Sequence, residues 1–224
     1  MGIFSCDSTT DTWDNTKAYP HNDEGTNIQL PSDIVIPGEK DDYIEDNRLI
    51  WQKPELVLSL LDTLDGKTVA DIGAGTGFFT FPLLPLSKKV IALDIDPLYL
   101  NLIDSIKRVD LIPEDRIRLE TRLVQGDKIP LKDGEIDAAV IVNTFMFIPN
   151  HVEYLKELLR KLKPEGKVLI VDFKKRRIPL GPEQMYKIPL YQVENELYQA
   201  GFDTVVAYDM LLEYQYILLA KKGK

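Results

Sequence analysis

Thr68-Val69-Ala70-Asp71-Ile72-Gly73-Ala74-Gly75-Thr76-Gly77-Phe78-Phe79 is the stretch that decides the fold. Its first five residues are mostly β-branched or apolar, the composition of a buried strand. Glycines at alternate positions, Gly73, Gly75 and Gly77, then end that strand. Glycine adopts positive φ freely and lets backbone approach a ligand closely. The stretch that follows, Phe78–Leu86, has helical length and spacing, and a helix start offers free N–H groups. Strand, glycine turn and helix in this order form the opening βα unit of a larger pattern.

Outward from this unit the pattern repeats. Ahead of it, Leu56, Leu60, Leu61 and Leu64 mark one face of a helix that begins near Pro54 and stops at Gly66. Beyond it, β-rich runs at Val90–Leu93, Ile117–Val124, Ala138–Val142 and Val168–Val171 alternate with helical stretches at Leu98–Val109 and His151–Leu162. Near-continuous apolar strands alternating with helices predict a parallel sheet covered on both faces. The end differs: a helix over Val193–Ala200, a Gly201 stop, then strands Thr204–Tyr208 and Tyr214–Ala220 joined by a link too short for a crossover helix. Those two strands should be antiparallel neighbours. The expected fold is α/β, a Rossmann-like doubly wound seven-stranded sheet, mostly parallel with an antiparallel last strand.

Charge separates a tail from this body. The chain of 224 residues carries 36 acids and 27 bases, a formal net charge of −9. Up to Asn47 there are 11 acids and 2 bases, also −9, which leaves 25 of each from Arg48 onward. Residues 1–47 read as an acidic, irregular tail and residues 48–224 as the folded domain. A charge-balanced body argues against nucleic acid as a partner. No apolar run approaches the roughly 20 residues that span a bilayer. Cys6 is the only cysteine and the two histidines, His21 and His151, are far apart, so no metal site is expected. Ile3-Phe4-Ser5-Cys6 also looks like the end of a lipoprotein signal, an alternative in which Cys6 anchors the chain to lipid.

The glycine turn admits three readings. A phosphate-binding Walker loop requires Lys-Ser/Thr directly after the glycines; Gly66-Lys67-Thr68 lies before the strand and fails. A dinucleotide fingerprint requires G-x-G-x-x-G, whereas the spacing here is G-x-G-x-G, so a nicotinamide-dependent oxidoreductase fits poorly. Asp71, two residues ahead of the first glycine, would repel a pyrophosphate and suits a ligand bearing positive charge. It fits the amino group of an amino-acid-bearing nucleoside.

Asp71-Ile72-Gly73-Ala74-Gly75-Thr76-Gly77 resembles the first signature of class I S-adenosylmethionine-dependent methyltransferases. The resemblance extends to other stations. Asp94, 21 residues after Gly73, is similar to the family's acid that accepts both ribose hydroxyls, with Ile95 beside it. Gly126-Asp127 resembles the pair that reads the adenine amino group. Ile136–Asn143 resembles the strand whose last polar residue, here Asn143, borders the methyl donor, and Leu162-Lys163-Pro164-Glu165-Gly166-Lys167 resembles the turn into strand five, with Glu165 where glycine is common. The implied cofactor is S-adenosylmethionine, held by Asp71, Gly73, Ala74, Gly75, Gly77, Asp94, Ile95, Asp127 and Asn143.

A narrower resemblance, carried by Arg48–Pro54, Leu180-Gly181-Pro182, Ala200-Gly201-Phe202 and Glu213–Tyr216, is to a group of small bacterial methyltransferases of unsettled substrate. Members often carry Tyr-His-His after strand four, where this chain has Phe145-Met146-Phe147. The implied activity is methyl transfer to a small-molecule acceptor in the cytoplasm, where adenosylmethionine is made. The alternative is a non-catalytic scaffold that keeps the fold. Trp51, Phe145 and Asp172 are the candidate substrate residues, and no catalytic base is assigned. Asp96, just before Pro97, reads as a helix cap and not as the ribose acid. His151 reads as the start of a surface helix. Lys174-Lys175-Arg176-Arg177 reads as an anion site, a solvated loop, or a partner for the acidic tail.

Overall fold

The computed structural model describes residues 48–126 and 128–224. In chain order the helices and strands are α1 (Arg48–Gln52), α2 (Pro54–Ser59), β1 (Thr68–Ile72), α3 (Thr80–Leu83), β2 (Lys89–Asp94), α4 (Pro97–Val109), α5 (Pro113–Arg118), β3 (Leu119–Leu123), β4 (Ile136–Val142), α6 (His151–Lys161), β5 (Leu162–Phe173), α7 (Leu190–Ala200), β6 (Thr204–Tyr208) and β7 (Gln215–Lys221). The sheet order is β3-β2-β1-β4-β5-β7-β6. Strands β3 to β5 of that series are parallel, and β7 runs antiparallel to both β5 and β6. The expected α/β architecture is present, with the last strand inserted between β5 and β6.

Side-chain alternation builds two apolar layers. Val69, Val90 and Val140 pack under α2, α3 and α4 through Val57, Leu83 and Ile103. Ile72, Ile91 and Ile141 face the opposite layer, which holds α6 and α7 through Leu155, Leu158, Val193 and Leu197. Each such fully buried side chain contributes about 1.5–3 kcal/mol. Burial on both faces therefore pins the register, because a one-residue slip would move every side chain to the wrong layer.

Three local expectations are corrected. Ile117 belongs to α5 and is exposed, so the third strand begins at Leu119. Pro113 at the helix start, acids in the first turn and arginines in the last turn favour helix there, in the sense of the macrodipole. The helix expected over Phe78–Leu86 is α-helical only at Thr80–Leu83, and that expected from Pro54 to Gly66 only at Pro54–Ser59. Lys53, at φ 48°, separates α1 from α2 because the residue before a proline is disfavoured in the right-handed helical region.

The fifth strand is longer than Val168–Val171 and already begins at Leu162. Between Ile136↔Leu162 and Ala138↔Lys167 the pairing slips, so a bulge replaces the expected turn. Glu165 in this bulge has φ 66°, a conformation that favours glycine, and its carboxylate pairs with Lys221 at the surface. An exposed ion pair contributes about 0–1 kcal/mol, against about 1–2 kcal/mol for the left-handed conformation. Glu165→Gly is expected to raise the unfolding free energy by up to about 1 kcal/mol; denaturant titration checks it, and a loss of stability would show that the ion pair outweighs the strain.

Candidate functional site

The strand order reverses between β1 and β4, the position at which doubly wound sheets open a crevice beyond their strand ends. The glycine turn lies there. Gly73 and Ala74 donate their N–H groups to the Leu93 carbonyl at 2.8 and 3.0 Å, which stitches the turn to the end of β2. On the β4 side, a Cβ on Gly73 would sit 2.2 Å from Thr144 Oγ1. Gly73, at φ 73°, is therefore held by close approach as well as by conformation. Gly75 differs: a Cβ there would meet nothing within 4 Å, so the turn opens onto free space at its middle.

Asp94 ends β2 beside that opening and is largely buried. Its Oδ2 accepts from Gly75 N at 2.8 Å and its Oδ1 from Asp96 N at 2.9 Å. Each oxygen has a second lone pair, which is what a vicinal diol requires. Asp96 instead accepts from Leu98 N at 2.8 Å and caps α4, the role read for it from Pro97. Ile95, between them, leaves 77% of its surface exposed, an apolar face at the mouth of the crevice.

Asp71 lies beneath the turn, 2% exposed, and its Oδ2 accepts from the Thr80 hydroxyl at 2.6 Å. Burial pushes its carboxyl up to about 6; the Thr80 hydrogen bond opposes this, Asp94 adds to it, and Arg48 opposes it. Asp71 is thus almost wholly enclosed, with the Thr80 hydroxyl on one of its carboxylate oxygens.

Asn143 ends β4 at φ 57° and joins a buried chain of amides. Its Oδ1 accepts from Gln215 Nε2, Gln52 Nε2 donates to Gln215 Oε1 at 2.9 Å, and Arg48 Nε donates to Gln52 Oε1 at 2.6 Å. Gln52 and Gln215 are fully buried. Neither was singled out from the sequence, although both lie inside the stretches that carried the narrower resemblance; a buried glutamine has no sequence mark of its own.

The three candidate substrate residues are all buried. Trp51 packs on Phe173 and Tyr214, with ring centroids at 5.9 and 6.4 Å, and thereby fastens α1 to the sheet. Phe145 is wholly buried and stacks on His151 at 4.4 Å, so it is core and not pocket surface. Phe147 is the exposed member of that run and contacts Tyr186. His151 does begin α6, yet it is half-buried, with Nδ1 3.0 Å from Glu196 Oε2. Lys174 Nζ and Arg176 Nη2 hydrogen-bond to the carbonyls of Leu212 and Glu213 at 2.9 Å, so the basic run clamps the β6–β7 link. Asp127, Cys6 and the rest of residues 1–47 lie outside the described residues.

Asp172, at the end of β5, accepts from Met146 N at 3.1 Å and Phe173 N at 2.9 Å. It faces Tyr216 across the β5–β7 pair. Among the described residues, Tyr216 OH and Trp51 Nε1 are the buried side-chain polar atoms without a hydrogen-bond partner. Near Tyr216, a cavity of about 430 Å³ is lined by Lys174, Arg176, Leu190, Met210 and Leu212 among others. No helix among the described residues is long and apolar enough to cross a membrane.

Residues 70–170 match the model of a family described as a methyltransferase domain. A crystal structure of a SAM-dependent methyltransferase from Aquifex aeolicus superposes with a TM-score of 0.70 at 27% identity, covering 79% of this chain and 93% of that one. This chain is an S-adenosylmethionine-dependent methyltransferase with the class I fold. The methyltransferase is 28% identical over 207 residues to the demethylmenaquinone methyltransferase of Tropheryma whipplei, spanning 84% of this chain and 82% of the relative. It is 30% identical over 115 residues to the ubiquinone/menaquinone biosynthesis C-methyltransferase UbiE of a Geobacter strain, spanning 50% of this chain and 48% of that relative. The open space at Gly75, the spare lone pairs of Asp94 and the exposed Ile95 fit an adenosine group in the crevice of this methyltransferase.

Two outcomes follow from the site's geometry. Asp94→Ala is expected to weaken adenosylhomocysteine binding at least about tenfold, the size of a lost hydrogen bond to a charged group. Asp96→Ala should leave binding intact and cost about 1 kcal/mol of stability as a lost helix cap; titration calorimetry with denaturation of both variants separates these, and reversed results would exchange the two acids' roles.

Burial pushes the Asp172 carboxyl up to about 7, against the two N–H groups that stabilise its charge. An unfolded aspartate titrates near ~3.9. Between those values the native protein holds a proton that the unfolded chain has lost, so stability falls as pH rises through the window. The melting temperature should therefore decline from about pH 4 to about pH 7, with Asp71, raised to about 6, adding to the decline, and Asp172→Asn should reduce the slope; an unchanged slope in the variant would assign the decline to other groups.

Proposed function

We propose that this methyltransferase transfers the methyl group to a small, largely apolar acceptor held beyond the ends of β4 and β5, close to Asn143. Bound adenosylmethionine supplies an electrophilic methyl carbon on a sulfonium. The chain's own task is to fix the acceptor against it, and orientation of this kind supplies roughly 7–11 kcal/mol of a barrier. Asp94 and Ile95 take the adenosine, the open glycine turn takes the amino-acid end, and the amide chain ending in Asn143 sets the wall between donor and acceptor.

The observation that carries the acceptor class is the cavity of about 430 Å³ at the end of β5. Its size falls within the roughly 300–1,000 Å³ range of small-molecule sites. Leu190, Met210 and Leu212 give it apolar walls, while Lys174 and Arg176 stand at the same opening. A quinone of the kind named for the T. whipplei and Geobacter relatives has an apolar body with oxygens at one end, and it suits this lining. The cytoplasm is the compartment this reading implies.

Incubation of the full chain with adenosylmethionine and soluble short-chain demethylmenaquinol analogues tests the reading by release of adenosylhomocysteine. Turnover is expected, and it would exclude a non-catalytic scaffold. Leu190→Trp, which fills the cavity, should lower kcat/KM at least about tenfold, the loss expected when a small-molecule pocket is blocked, while adenosylhomocysteine affinity stays unchanged. Full activity of that variant would move the acceptor elsewhere.

A further inference from the structure

Arg48 is a half-buried arginine beside the glycine turn that forms no ion pair with any described residue. Its guanidinium lies over the Phe78 ring, 4.1 Å from the centroid, and Phe78 directly follows Gly77. Its Nε is committed to Gln52 Oε1 at 2.6 Å. The two terminal nitrogens of the fork are left without an acceptor among the described residues. Asp71 lies within electrostatic reach, yet it forms no salt bridge with Arg48 and holds the Thr80 hydroxyl instead.

Holding a cation in this way is costly. Burial lowers the Arg48 pKa to about 10, and the Asp71 charge offsets this only in part. A desolvated charge left unpaired is normally selected against unless something binds it. The ring of Phe78 and the Gln52 oxygen fix the stem and one edge of the fork. A pre-oriented guanidinium with its free edge available is the group that grips a carboxylate through two parallel N–H bonds.

The charges around the turn thus come as an opposed pair: Asp71 below it and Arg48 beside it. An α-amino acid carries the complementary pair, an ammonium and a carboxylate on adjacent atoms. We propose that Arg48 binds the α-carboxylate of the methionine moiety and so distinguishes adenosylmethionine from nucleosides that lack it. This rests on the assignment of the glycine turn as the donor site. It also gives the buried amide chain a function: Gln52 holds Arg48 with its oxygen and reaches Gln215 with its nitrogen, and Gln215 in turn reaches Asn143. The carboxylate grip and the acceptor-side wall are parts of one hydrogen-bonded unit.

The test is titration calorimetry of the full chain with two ligands, adenosylhomocysteine and 5′-methylthioadenosine, which share the thioadenosine and differ in the amino-acid end. Arg48→Gln is expected to weaken adenosylhomocysteine about 10- to 100-fold, the range of a lost charge-assisted pair, and to leave methylthioadenosine within about twofold. Arg48→Lys should recover part of the loss. An equal loss for both ligands would overturn the proposal in favour of a structural role, and so would no loss for either. A measurement without any variant guards against misfolding: the wild-type protein should bind a decarboxylated analogue of adenosylhomocysteine at least about tenfold more weakly than adenosylhomocysteine itself. Equal affinity for the two would overturn the proposal while leaving the donor site standing, whereas wild-type protein that binds neither thioadenosine ligand overturns both.

Discussion

Two N–H groups on one carbonyl hold this site together. Gly73 and Ala74 both donate to the Leu93 oxygen, at the end of the neighbouring strand. That bond brings the glycine turn against Asp94, one residue further on, and lets Gly75 N reach the Asp94 carboxylate at 2.8 Å. On the other flank Thr144 closes on Gly73 so tightly that no side chain fits. The turn is thus wedged between the ends of β2 and β4, and the free space left at its middle is set by its two neighbours. Were β1 not between β2 and β4, neither constraint would exist.

The polar interior follows from that geometry. Carboxylates at the ends of central strands are unavoidably buried by the helices that cover the sheet, and each resolves the cost differently. Asp94 does so with two backbone N–H groups. Asp172 also has two, yet its carboxyl is still pushed up to about 7 because burial outweighs them. Asp71 has a hydroxyl and a distant guanidinium. Glutamines carry the remaining polarity: Gln52 and Gln215 join α1 to β7 and to the end of β4 in a chain whose donors and acceptors alternate. Such a network rigidifies the site when its members are satisfied, and the Arg48 guanidinium stands at its outer end.

Much of the architecture was legible from residue pattern alone. Alternating apolar strands and helices specified the parallel sheet, and the short link after Tyr208 specified the antiparallel end, because both follow from periodicity and connection length. Ile117 lies in a helix and not in the expected strand, because an isolated apolar residue between charged ones fits a strand or an exposed helix equally well. The bulge at Glu165 was hidden because a glutamate with positive φ is tolerated only through its tertiary surroundings, here Lys221 and the Gly223 carbonyl.

For the site the division is similar. Glycine spacing, the acid at the end of the second strand and the cap before Pro97 are local chemistry, so residue order by itself determined the glycine turn, the position of Asp94 beside it and the capping role of Asp96. Phe145, Trp51 and Asp172 stand out in the sequence, but whether each faces a pocket or the core depends on which layer covers it, and all three are buried. The tertiary structure alone decided that Phe145 stacks inward on His151, that the basic run clamps the β6–β7 link, and that Arg48, Gln52, Gln215 and Asn143 meet. The physical reason is range: turns and caps are fixed by neighbours along the chain, whereas burial and charge pairing are fixed by residues that folding brings from as far as 163 positions away.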